Sequence, residues 1–155
     1  MLTEKAIELL RRVEQHILAE PKRLNMDVTG TVRRPTMSVD IQLKFPTCHT
    51  VGCIAGWSSL LSVKEGIPDN LYDRVMLMTW SAGRKALGLY KEEAERLFAE
   101  PRLALLPEDE LHDHYNGNLW PLDLARAYVA ATSAEERARI TVERIELFIE
   151  SGGVV

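Results

Sequence analysis

The chain has 155 residues, 46% of them hydrophobic and 27% charged, with a formal net charge of -4. That length suits one hydrophobic core and one domain, and the composition is too apolar for a disordered chain. No apolar run approaches the roughly 20 residues that cross a bilayer, the charged opening from Met1 to Leu10 lacks the apolar stretch of a signal peptide, and two cysteines make no disulfide framework. A single cytoplasmic domain with no membrane association is therefore expected.

Charge is uneven along the chain. Residues 1–46 carry eight Lys/Arg against six Asp/Glu, and residues 47–155 carry eleven against seventeen. The acidic bulk argues against broad nucleic-acid binding, which needs a basic face. The doublets Arg11-Arg12, Lys22-Arg23 and Arg33-Arg34 allow at most a local patch.

Residues 3–19 read as an amphipathic helix. Leu2, Ala6, Leu9, Leu10, Val13 and Ile17 recur at helical spacing, Thr3 suits the cap and Pro21 the stop. His16 falls beside the stripe and is read as a surface residue. Over residues 24–46 the period changes to two, with Val39, Ile41, Leu43 and Phe45 on one face. A small β-hairpin there competes with an ordered loop lying over the helices.

From Thr50 the period is helical again. Gly52, Ala55, Gly56, Ser58 and Ser59 are small enough to let another element approach closely. The next helix runs from about Leu71 to Leu87, with Leu71, Val75, Met78, Ala82 and Ala86 inward. Gly83 weakens it, and Trp80-Ser81 suggests a split. Lys91–Glu100 is a short helix burying Ala94, Leu97 and Phe98. Residues 101–120 are irregular, with Asn116-Gly117-Asn118 as a turn. Pro121 suits the first position of a helix burying Leu122, Ala125, Tyr128 and Val129. Ser133 and Glu136 form a capping box for the last helix. Its stripe is Ala138, Val142, Ile145 and Ile149, and Gly152-Gly153 ends it. The expected fold is mainly α: one compact domain of six or seven short helices.

Chemistry concentrates at Cys48-His49-Thr50-Val51-Gly52-Cys53-Ile54-Ala55-Gly56-Trp57. A cysteine at a helix start can become a more available thiolate. The simpler reading makes Thr50 or Cys48 the cap and Cys53 a small buried hydrophobe. A zinc site is a second alternative, with Cys48, His49 and Cys53 joined by His112 or His114. Its Cys-x4-Cys spacing is looser than the usual Cys-x2-Cys. A cysteine enzyme or redox sensor is a third, with Cys53 or Cys48 as thiol, His112 or His114 as base and Asn118 as orienting partner. No phosphate loop, dinucleotide fingerprint or His-Glu-x-x-His motif is present. Trp57, Trp80 and Trp120 read as core or groove lining, and Thr50, Trp57 and Trp120 as the edge of a groove for a protein or small ligand.

The Cys48–Trp57 stretch resembles a group of uncharacterised bacterial and phage proteins carrying Cys-Gly-Thr-x-x-Cys-Ile-Ala-Gly, followed by His or Trp. Ala86-Leu-Gly-Leu89, the run from Glu92 to Phe98, Trp120-Pro121, and Arg144-Ile145 with Phe148 match the same group in order. The likeness spans roughly residues 45–150. His49 departs from the group's glycine, and Trp57 stands where histidine is common. The resemblance implies a shared small helical fold and no particular activity. The preferred expectation is a non-enzymatic accessory or interaction protein with no cofactor, zinc being the exception to test.

Overall fold

The computed structural model describes residues 2–24, 26, 53–64, 66, 73, 79–107 and 119–155. Its first helix, α1 (Glu4–Ala19), starts where the sequence supplies a cap. Thr3 is extended and its Oγ1 accepts the Ala6 N–H at 3.2 Å. The stripe Ala6, Leu9, Leu10, Val13 and Ile17 is buried as the spacing predicts. Burial of side chains such as Leu10 and Val13 contributes about 1.5–3 kcal/mol each. A single 3-10 turn, Pro21–Arg23, follows.

Helix α2 (Ile54–Leu61) is buried on every side from Ile54 to Leu60. A helix without a polar face belongs inside a core, and this one packs against α1 and α3 (Trp80–Leu87). Its N-cap is Cys53, in extended backbone. The cap position thus falls to Cys53, while Thr50 and Cys48, the caps expected from the sequence, lie outside the described residues.

Thr79 caps α3. It is extended, and its Oγ1 accepts the Ala82 N–H at 3.1 Å. Gly83 and Leu87 are the buried residues of α3, while Ala82 and Ala86 are half-buried. The inward face is thus rotated by one residue from the expected one. The cause is contact between backbones: a Cβ at Gly83 would stand 2.3 Å from the Ala55 carbonyl oxygen. Gly83 is a contact point between α2 and α3, where the sequence suggested a weak spot. Gly88 then closes α3 at φ 65°, its N–H bonding Lys85 O while Leu89 N–H bonds Arg84 O.

Helix α4 (Lys91–Phe98) buries Ala94, Leu97 and Phe98 as expected. Glu93 accepts the Tyr90 N–H at 2.8 Å at its start. A 3-10 turn, Pro101–Leu105, packs on α5 (Leu122–Ala130). Pro121 is the N-cap of α5 and not its first helical residue. Leu124, Ala125 and Tyr128 form the buried face, whereas Leu122 and Val129, expected inside, are exposed.

Ser133 caps α6 (Ala134–Glu150), its Oγ accepting Glu136 N–H at 3.1 Å; Glu136 reaches back to Thr132 N–H at 3.0 Å. The buried stripe is Ala138, Thr141, Arg144, Ile145 and Phe148. Val142 and Ile149 are only half-buried. Thr141 enters the stripe because its hydroxyl bonds the Arg137 carbonyl one turn back at 2.9 Å. The end is closed by Gly153 N–H to Phe148 O at 2.8 Å and Gly152 N–H to Ile149 O at 3.0 Å, both glycines at positive φ.

The described elements share one apolar core. Helix α1 packs against α2, α3 and α6, and α4 joins α2, α3 and α6. The fold is mainly helical. The hairpin expected at residues 24–46 lies, apart from Leu24 and Met26, outside the described residues. So do the segment 108–118 with its Asn-Gly-Asn turn and the inward positions Leu71, Val75 and Met78.

Candidate functional site

The polar chemistry inside the described structure gathers at three places. The first is the junction of α1, the Pro21–Arg23 turn and α2. His16, in the last turn of α1, lies against Trp57 of α2 with ring centroids 4.0 Å apart and planes at 49°. The Trp57 indole N–H donates to the Arg23 carbonyl at 3.4 Å. Arg23 Nε lies 2.6 Å from Glu20 Oε2. The His16 Nε2 is buried with no hydrogen-bond partner among the described residues. Burial, and secondarily the Arg23 charge, lowers the His16 pKa below its ordinary value, while Glu20 opposes this. His16 is therefore half-buried and held neutral, a correction to its reading as a surface residue.

The second place is the seam between α1 and α6. Arg11 Nη1 contacts Glu14 Oε2 at 3.0 Å and also Glu146 Oε1. Glu14 is buried, and desolvation raises its pKa; Arg11 lowers it and Glu146 raises it further. The two carboxylates hold the Arg11 guanidinium in its charged form, with its pKa raised. With Arg11 and Arg23 committed to carboxylates, two residues of the basic doublets are already neutralised.

The third place lies at the end of α6. The Arg144 guanidinium is fully buried. It donates to the Val155 carbonyl at 2.9 Å and to the Arg96 carbonyl, in the last turn of α4, at 2.6 Å. Arg96 in turn donates to Gly153 O at 2.9 Å. A cation at the carbonyl end of a helix is favoured by the helix dipole. Desolvation, aided by Arg96, brings the Arg144 pKa down to about 10, still charged at neutral pH.

The residues singled out by sequence distribute differently. Cys53 is 1% exposed at the N-cap of α2. Trp57 is 1% and Trp120 3% exposed, so both indoles are core residues in this conformation. Trp120 meets Tyr128 edge-on with centroids 5.7 Å apart, and the Tyr128 hydroxyl accepts the Met26 N–H at 3.2 Å. Cys48, His49, Thr50, His112, His114 and Asn118 lie outside the described residues. Of the proposed zinc set, only Cys53 falls inside them. Among the described residues, no three His, Cys, Asp or Glu side chains converge as metal ligands.

Sequence reasoning missed His16, Glu14 and Arg144. A signal existed for two of them. Glu14 sits between Leu10 and Ile17 at helical spacing, and Arg144 between Thr141 and Phe148, so each interrupts an inward stripe. No protein-family model, curated protein or solved structure matches the chain. No helix among the described residues is long and apolar enough to cross a membrane.

Proposed function

We propose that this chain is a non-enzymatic cytoplasmic interaction protein that binds the apolar face of another protein. One observation carries this reading. Leu105 and Leu106, at the end of the second 3-10 turn, and Leu122 and Val129 on α5 are all exposed, although turn and helix pack on each other. Leu122, Arg126 and Val129 recur at four and three residues, so they share one outward side of α5. Contiguous aliphatic surface marks protein contact sites, and the packing of the turn on α5 supports reading these four side chains as one such surface. Asp123 and Arg126 put both charge signs on the exposed part of α5, which suits a protein partner better than a polyanion.

The burial of Cys53 favours its packing role over that of an enzyme's thiol. We further infer kinship with the bacterial and phage group, on the strength of the Cys48–Trp57 stretch. The binding reading is tested by placing a photo-crosslinking residue at 122 or 129 in cells, with exposed Gln15 on α1 as control. The expected result is a discrete adduct from 122 and 129 and none from 15. Equal or absent adducts at all three positions would sink it. The adduct mass separates a second copy of the chain from a different protein.

A further inference from the structure

We propose that His16 is a pH-sensitive latch that holds residues 20–24 and Met26 against the helices and releases them when the imidazole is protonated. The argument starts from geometry. His16 touches Trp57, whose indole N–H holds the Arg23 carbonyl. Leu24 N–H closes the turn onto Pro21 O at 3.1 Å, and Met26, fully buried, hangs on Tyr128 of α5 through its own N–H. Trp57 and Tyr128 thus anchor the chain that follows α1 at two points, and His16 lies against the first of them.

Neutral imidazole suits this pocket and imidazolium does not. The buried Nε2 has no acceptor among the described residues, and the imidazolium must carry a proton on that nitrogen, which is then a desolvated donor without a partner. The charged groups acting on the ring are Arg23 and Glu20, and Glu20 is already engaged with Arg23. Helix α2 offers the Trp57 indole and no ionisable side chain within Ile54–Leu61, with the Cys53 thiol at its cap. Two forces favour the cation: the carbonyl end of α1 and the indole π-cloud. Against them act burial and the Arg23 charge, which lower the His16 pKa below its ordinary value. Protonation therefore stabilises any arrangement that moves the Arg23 turn away from His16 and admits water to Nε2.

The sign follows from linkage. A histidine with a lowered folded-state pKa binds fewer protons folded than unfolded, so its site weakens as pH falls below the ordinary imidazole value. The test combines two NMR measurements on the full chain. The first is titration of the imidazole signals, with His16 assigned by its loss in His16→Phe. The second is hydrogen exchange at the Leu24 and Met26 amides, normalised to the intrinsic rate at each pH. The expected result is that His16 titrates below the ordinary imidazole range and that both amides lose protection several-fold through that titration. In His16→Phe the protection stays flat, and in Arg23→Gln the His16 midpoint moves upward. The latch is overturned if His16 titrates at or above the ordinary value. It is equally overturned if the amides keep their protection while His16 protonates. The wild-type chain alone decides the matter should a variant fail to fold.

Discussion

Arg144 illustrates what a buried cation demands. Its charge is met by main-chain oxygens of Arg96 and Val155, at the end of α4 and beyond the end of α6. Arg144→Met would keep much of the volume and leave both carbonyls without their donor. A loss of about 1–3 kcal/mol in urea unfolding is expected, the cost of an unmet buried group at the Arg96 carbonyl, since Val155 is exposed and water can replace the donor there. Arg144→Lys would recover only part of it, because an ammonium cannot span two acceptors as a planar fork does. Glu14 makes a prediction with the opposite sign to His16. Its raised pKa means that the folded state holds the proton more tightly than the unfolded one. The resulting stability is complete below the ordinary carboxylate value and lost as pH climbs through the raised one. Glu14→Gln removes that slope, so the variant should gain on wild type between pH 4 and pH 7. Urea midpoints at the two pH values check this, and a parallel response in both proteins would refute it. Arg11 is in reach of Glu14 by sequence spacing alone, but the second carboxylate on Arg11 is not announced: Glu14 and Glu146 stand 132 positions apart.

At the scale of elements, the helix ends were legible. Thr3, Ser133 and Gly152-Gly153 act where their chemistry says they should, and Glu136 reaches back one residue further than a capping box requires, to the Thr132 N–H. The small-residue run around Ala55 was legible too as a place of close approach, but its partner was not. Gly83 became that partner because a side chain there would overlap the Ala55 backbone. Gly83→Ala therefore tests the contact between α2 and α3. In an exposed helix the change would stabilise by about 1 kcal/mol. Here overpacking should reverse the sign and cost about 1–3 kcal/mol, read as a lower unfolding midpoint. An unchanged or raised midpoint would mean that the two helices do not meet at this glycine. The faces of α3, α5 and α6 were each drawn with residues the structure leaves half-buried or exposed. Alanine, leucine and valine satisfy a periodic pattern on either side of a helix, and neighbours choose between the sides.

For the whole molecule, the separation of buried and exposed apolar groups bears on function. Leu122→Ser with Val129→Ser should leave stability within about 0.5 kcal/mol, as surface changes generally do, while abolishing the adduct formed by a photo-crosslinking residue placed at position 105 of the otherwise wild-type chain. Loss of folding in this pair would place the two side chains inside the protein. Cys53 makes a second test at this scale. Enclosed at the start of α2, it should be alkylated by iodoacetamide far more slowly in the native protein than in urea. Peptide mapping distinguishes it from Cys48. Fast native labelling would revive the reactive-thiol reading. Native mass spectrometry decides the zinc alternative independently, because a bound ion adds its own mass to the folded chain.

Composition, helical period and capping residues determined by themselves that this chain folds as packed helices and where most of those helices begin and end. These are local properties, set by hydrogen bonding within a few residues and by which side of a helix is apolar. The tertiary structure decided the rest: His16 against Trp57, Glu14 and Glu146 sharing Arg11, Arg144 beneath the end of α4, Gly83 on Ala55, and Leu122 and Val129 outward. Each depends on which distant segment supplies the neighbour, and burial, unlike period, exists only once the segments have met.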